Sequence, residues 1–208
     1  MTHHIREKLL KDLIARSFKE RAQAQVDAQK VFAAEVYKAC FTEKEHKLMA
    51  SLPKGWLVMD DDIKVQIAHE VRTFHFSGSG GNSYLPSELS MAGAELEHLR
   101  FPIPYNKYIG SPVVAIFDAD HPIRAMFDEL ENARRDLVAE ISKAITATKK
   151  VLESVGSVKK LIEVWPEVEA FARPYQTEGE RRAILPAIPR EQINAMLGLP
   201  PSPQEAIQ

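Results

Sequence analysis

The sequence predicts a mainly helical α+β fold: two long antiparallel helices, a small antiparallel β-sheet inserted between them, and a C-terminal helical tail. Three observations carry this prediction. Apolar residues recur every three or four positions over about residues 2–41 and again over 122–155, which gathers them on one helix face. Neither Gly nor Pro interrupts the first of these runs. Between them lies a β-rich insertion over about 56–117, which opens at Trp56–Phe76 with an apolar period of two, as in a half-buried strand. Residues 1–172 then read as a single α+β domain, and 173–208 as a linker with a short docking helix.

The first helix turns Ile5, Leu9, Leu10, Leu13, Ile14, Phe18, Ala22, Val26, Phe32, Ala33, Val36, Tyr37 and Cys40 to one side. Its alanine-rich middle has high helix propensity and side chains small enough for close helix approach. Thr42 and Glu45 have the spacing of a capping box and open a second, short helix, which Pro53 and Gly55 end. Ile63, Val65, Ile67, His69, Val71, Thr73 and His75 fall on one side of a strand, with Lys64, Gln66, Glu70 and Arg72 on the other. Leu85–His98 holds a short helix with Pro86 near its start. Arg100–Ile109 is proline-interrupted and suits an edge strand, and Pro112–Phe117 suits a short buried one.

The second long helix starts at Pro122, where a first turn tolerates proline, and extends about 50 Å at the α-helical rise. Glu131 and Arg135 are spaced as a helical ion pair, and Gly156 suits the residue just past the C-terminus. Ser157 is a natural N-cap for the next helix, and Pro166 predicts a kink or a fresh helix start there. Arg173–Ile188 is polar and aperiodic. Arg190–Leu197 is a short helix closed by Gly198 and Pro200-Pro201.

Composition narrows the function classes. Of 208 residues 45% are hydrophobic and 27% charged, so a core can form. The net charge of −2 argues against a surface built wholly for nucleic acid. Cys40 is the only cysteine, so no intrachain disulfide can form, which fits a reducing cytoplasm. The charged N-terminus has no apolar signal-peptide region, and the longest apolar run, Pro112–Phe117, cannot span a bilayer. A cytoplasmic protein with no membrane partner is the expectation.

Chemistry has few footholds. Asp118, Asp120 and His121 follow a strand and precede a helix. Two carboxylates so placed can share a divalent cation, and the histidine can act as a general base. The simpler reading is that Asp118 and Asp120 cap the long helix and complement its dipole. Arg6, Lys8, Lys11, Arg16 and Lys19 outnumber the acids at the start of the first helix. They form either a surface for nucleic acid or an acidic partner, or a solvated face. Gly78–Ser83 lacks the Lys-Ser/Thr of a phosphate-binding P-loop and the order of a nucleophile elbow. His69 and His75, on one extended strand, would stand about 20 Å apart, too far to share a metal. Cys40 reads as a core thiol. Trp165 is a candidate binding aromatic, though a core anchor is the simpler account. No cofactor is predicted, and a divalent cation enters only if Asp118 and Asp120 are catalytic.

One likeness adds to this reading. Ser157–Phe171, with its Trp165-Pro166-Glu167 step, and Leu185–Pro200, with its closing Leu-Gly-Leu-Pro, resemble the C-terminal part of the phage-encoded nucleotide-modification-associated domain 5 proteins. The likeness covers the C-terminal third and brings no catalytic motif. It implies a phage or prophage accessory protein in the cytoplasm of an infected bacterial cell, and the absence of a convergent polar motif, with the tethered C-terminal helix, favours a non-enzymatic one that binds a host or phage macromolecule. A protein is the first expectation for the partner and nucleic acid the second. The alternatives are an enzyme or enzyme subunit of nucleotide or DNA-base modification with a metal at Asp118 and Asp120, and a structural protein that forms a homo-oligomer through its long helices.

Overall fold

A computed structural model describes residues 1–53, 56–60, 62–67, 70–75, 85–96, 101–104, 114–176 and 190–200. The elements in order are α1 (His3–Cys40), α2 (Glu43–Ser51), β1 (Leu57–Asp60), β2 (Asp62–Ile67), β3 (Glu70–His75), α3 (Ser87–Met91), β4 (Phe101–Pro104), β5 (Ala115–Phe117), α4 (Pro122–Ser154) and α5 (Val158–Val164). A 3-10 turn (Pro166–Val168), α6 (Glu169–Ala172), a second 3-10 turn (Arg173–Tyr175) and α7 (Arg190–Leu197) complete them. The fold is α+β and mainly helical, and among the described residues no helix is long and apolar enough to cross a membrane.

The chain divides into two compact units. The first comprises Met1–Gln23, Ser87–Ala94 and Asp136–Gln208. Here α1 and α4 run antiparallel. The Arg21 guanidinium forks onto the Glu140 carboxylate at 2.8 and 2.6 Å, and Arg6 donates to the Val155 carbonyl at 3.4 Å. Leu9, Leu13, Ile14, Phe18 and Ala22 of α1 are buried, as are Leu137, Ile141, Ala144, Val151 and Leu152 of α4. All but Val151 are positions of the two apolar stripes, so the predicted helix faces are the ones that pack.

The C-terminal elements complete this core. Ser157 caps α5, its hydroxyl accepting from the Lys160 amide at 3.1 Å. Pro166 starts a 3-10 turn and not a bent α-helix, because proline at a first position forfeits no intrahelical bond. The Trp165 side chain is fully buried, and its indole N–H donates to Asn194 Oδ1 of α7 at 2.5 Å. The Asn194 amide in turn donates to the Pro200 carbonyl at 3.3 Å, and Ser17 on α1 donates to the Leu197 carbonyl. With Ile193 and Leu197 also buried, α7 docks on its own chain. Gly93 and Gly198 hold positive φ, 84° and 61°, just past α3 and α7, where the helix ends need a left-handed residue. Gly156 does not take that role. Only Val155–Ser157 separate α4 from the capped start of α5, and the Gly156 carbonyl accepts from the Met1 amino group.

The second unit comprises Ala24–Pro86 and Glu95–Arg135. Its core gathers Phe32, Ala33, Val36 and Cys40 of α1, Phe41, Met49 of α2, Val65 and Ile67 of β2, Ile103 of β4, Phe117 of β5 and Ile123 of α4. The expected capping box at Thr42 and Glu45 is present and opens α2. Tyr37 stacks on Phe101 at 4.6 Å between centroids and donates its hydroxyl to the Pro102 carbonyl at 2.9 Å. On α4, Glu131 pairs with Arg134 at 2.6 Å, while Arg135 donates to Asn132, so the helical ion pair forms at spacing three and not four.

The β region differs from the expectation in two ways. First, the alternating stretch is not one strand. β2 and β3 pair antiparallel with Ile67 opposite Glu70, and β1 pairs separately with β4. Folding back after Ile67 reverses the side-chain sense, so Val71 lies opposite Gln66 and is 56% exposed while Ile67 is buried. Second, the sheet is not purely antiparallel. β5 joins β2 in parallel in the order β3-β2-β5, because a long crossover through α3 and β4 lets the chain re-enter in the same direction. His69 and Gly78–Ser83 lie outside the described residues.

Two predictions follow from this packing. Asn194→Ala removes the acceptor that a fully buried indole N–H has among the described residues and is expected to lower unfolding free energy by about 1–3 kcal/mol in urea denaturation. The Arg21 hydrogen bond holds the Glu140 carboxyl below its ordinary value of 4.5. A depressed carboxylate stabilises above its unfolded pKa and loses that contribution as pH falls through the folded one. Both side chains are about half exposed, so the pair is worth less than about 1 kcal/mol. The melting-temperature gap between wild type and Glu140→Gln should therefore be small at neutral pH and close below pH ~4.

Candidate functional site

Sequence reasoning offered two places for function, and the structure treats them differently. At the strand-to-helix corner, Asp118 and Asp120 are exposed between β5 and α4. The helix cap comes from His121 and not from either carboxylate. Its Nδ1 accepts the Ile123 amide at 3.2 Å, and its own amide donates to the Asp118 carbonyl at 3.1 Å. The imidazole stacks on Phe117 at 4.3 Å, nearly parallel. An Nδ1 that accepts leaves the proton of the neutral ring on Nε2, so neither nitrogen is a free base in this arrangement. Among the described residues no group of three or more His, Cys, Asp and Glu side chains could hold a metal ion.

The basic set on α1 is divided. Lys8, Lys11 and Lys19 fall within an arc of about 80° of the helix, but Asp12 lies beside Lys19 on the way to Arg16 and accepts from the Tyr175 hydroxyl at 3.3 Å. No uninterrupted basic face results. Arg6 and Lys11 line a groove, while Lys8, Arg16 and Lys19 do not. Trp165, buried against α7, presents no ring face to solvent. Glu167, which ends the Trp-Pro-Glu step, keeps both carboxylate oxygens from solvent without a hydrogen-bond partner. No donor among the described residues offsets that desolvation.

The groove lies wholly in the first unit, between the first turns of α1, the short α3 and the last turns of α4, and encloses about 520 Å³. Its floor is Leu10, Met91, Ile145 and Leu152, and Ser87 and Ser90 add hydroxyls. The rim carries His3, Arg6, Glu7, Lys11, Lys149 and Glu153. Glu7 faces His3 at 3.4 Å and Glu153 faces Lys149 at 3.9 Å, both well exposed. Lys11 makes no ion pair among the described residues, and Arg6 commits one donor, to Val155. The chemistry on offer is therefore an apolar bed with surplus positive charge on its α1 side.

No motif announces this groove, because its lining comes from three separate segments. One signal was available. Leu10 and Ile145 each stand beside a fully buried stripe residue, Leu9 and Ala144, and are themselves only half buried. Each widens its helix's apolar face beyond what the helix–helix contact uses.

Residues 1–200 match the family described as nucleotide modification associated domain 5. The chain belongs to this family. The likeness first visible at Ser157–Phe171 and Leu185–Pro200 thus extends over nearly the whole nucleotide-modification-associated chain, the groove segments included. No curated protein and no solved structure matches it.

The capping geometry at the corner is testable. His121→Ala should cost about 1 kcal/mol in urea denaturation and His121→Asn should recover most of it, because asparagine also accepts from an N-terminal amide. Asp118→Asn combined with Asp120→Asn should change stability far less than His121→Ala.

Proposed function

We propose that this chain is a non-catalytic accessory protein of nucleotide or DNA modification, encoded by a phage or prophage, that grips a host or phage macromolecule through the α1–α3–α4 groove. The observation that carries this reading is the groove itself. A concavity of about 520 Å³ with an aliphatic floor and a few charged and hydroxyl groups at its edge has the make-up of a binding site. Its lining suits holding a ligand more than transforming one. Glu153 already faces Lys149 and Glu7 faces His3, and the hydroxyls of Ser87 and Ser90 have no other histidine among the groove residues to activate them.

The corner supports an enzymatic reading less well. His121 is engaged in starting α4, and the two carboxylates beside it are exposed to solvent. Membership of a nucleotide-modification-associated family supports the process but names no reaction.

The test is the nucleoside composition of DNA from cells in which this chain operates, read by mass spectrometry. The doubly substituted Lys11→Glu/Ser90→Glu protein should lower the level of modified nucleoside, whereas Asp118→Asn/Asp120→Asn should leave it at the wild-type level. Loss of modification with the second protein and not the first would replace this reading with a catalytic one.

A further inference from the structure

We infer that the groove takes a nucleoside monophosphate unit, with the phosphate at Arg6 and Lys11 and the base on the floor formed by Leu10, Met91 and Ile145. This rests on the groove being the binding site, and it adds the ligand class.

The charge pattern selects an anion. Three fixed cations, Arg6, Lys11 and Lys149, enter the lining, and only Lys149 has a carboxylate beside it. Arg6 and Lys11 both enter the groove lining from α1, five residues apart along the helix. The Arg6 guanidinium is steadied by its bond to the Val155 carbonyl and keeps most of its five N–H donors uncommitted. A phosphate suits that pair, since arginine offers a fork to two oxygens and lysine a mobile point charge.

The floor selects what the anion must be attached to. Inorganic phosphate would leave the half-buried Leu10, Met91 and Ile145 uncovered. A planar heterocycle would cover them, and the Met91 thioether is polarizable enough to pack on an aromatic face. Ser90 brings a hydroxyl that can donate or accept, and Ser87, whose O–H donates to Glu88 Oε2 at 3.1 Å, can still accept, which suits the edge of a base or a sugar. The volume, about 520 Å³, is in the range of sites for ligands of this size and too small for several stacked nucleotides. Because the rim also carries Glu7 and Glu153, the added negative charge of further phosphates meets more repulsion, so the monophosphate is favoured over the triphosphate.

The unit can arrive free or as the terminal nucleotide of a strand, and titration calorimetry on the full chain separates the two. The probes are the deoxynucleoside 5′-monophosphates, the matching nucleosides, inorganic phosphate, and a short oligodeoxynucleotide with and without a 5′-phosphate. Monophosphates should bind at least about tenfold more tightly than nucleosides or phosphate alone, and less tightly as salt rises. Lys11→Glu should weaken binding by about tenfold or more, while Lys8→Glu, the same charge change outside the groove, should alter it by less than about twofold. Binding of the phosphorylated oligonucleotide with none of the free monophosphate also supports the inference and assigns the source to a strand end. Equal binding of nucleoside and monophosphate, or equal loss with Lys8→Glu and Lys11→Glu, overturns it. So does the absence of any nucleotide binding. In that case the binding role still stands if Lys11→Glu/Ser90→Glu lowers nucleoside modification in cells, and falls with it if that protein behaves as wild type.

Discussion

Two helices of 38 and 33 residues, each apolar along one side, set the terms for everything else in this chain. Neither stripe can face water, and each of the two units solves that need with its own stretch of α1 and α4. In the first unit the two helices cover one another, with Ala22 and Ala144 fully buried where bulk would keep backbones apart, and short C-terminal helices cover what remains. In the second unit a thin β-layer and α2 provide the cover, and the aromatic residues Phe32, Tyr37, Phe41 and Phe117 fill a space that strands of three to six residues could not close. The groove is a by-product of the same constraint. α3 is five residues long, too short to cover the α1 and α4 surfaces beside it, and Leu10 and Ile145 stay half buried as a result.

Apolar burial alone does not choose between registers; a few buried polar contacts do. Trp165 and Asn194 are both removed from water, and each satisfies the other only when α7 sits at one height beside the end of α5. The Asn194 amide then reaches Pro200, and Leu199 closes on the Asn194 carbonyl across Gly198. A slip of α7 by one helical turn would break the Trp165–Asn194 bond and bury the indole N–H without that acceptor. Tyr37 performs a comparable task in the other unit, since a hydroxyl that must meet the Pro102 carbonyl fixes β4 against α1. Pro102 has no amide to offer a neighbouring strand, so its carbonyl is the only backbone group this residue has to satisfy.

Features written locally in the chain were the legible ones. Helix extents, the Thr42–Glu45 capping box, the Ser157 cap and the end of α7 at Gly198 each depend on residues within a few positions of one another. The β2–β3 reversal was not legible. Its apolar alternation runs straight through the fold-back, and parity gives no warning when the connecting residues carry no glycine or proline. The parallel placement of β5 depends on a crossover that no local pattern encodes. Glycine at 156 looked like a helix terminator by residue type, yet the crowded passage from α4 into α5 left no left-handed position for it. The groove was invisible for a different reason. Residues 3–11, 87–91 and 145–153 become neighbours only after the antiparallel pairing and the return of α3 are in place.

The same distinction explains why the conspicuous acidic corner is the poorer candidate and the inconspicuous groove the better one. Asp-Ala-Asp-His attracts notice because its residue types are reactive, but reactivity requires a group with nothing better to do. His121 has a specific task, since Pro122 begins α4 without an amide and the next one, on Ile123, needs an acceptor. Arg6 and Lys11 are ordinary residue types on a charged helix, and their sequence context makes them look like part of a solvated face. What distinguishes them is position. They stand at the edge of apolar side chains that the helix pairing does not use, with fewer carboxylates in reach than cations to satisfy. Uncovered apolar surface beside under-compensated charge costs the free protein something on both counts, and one amphipathic anionic ligand relieves both together.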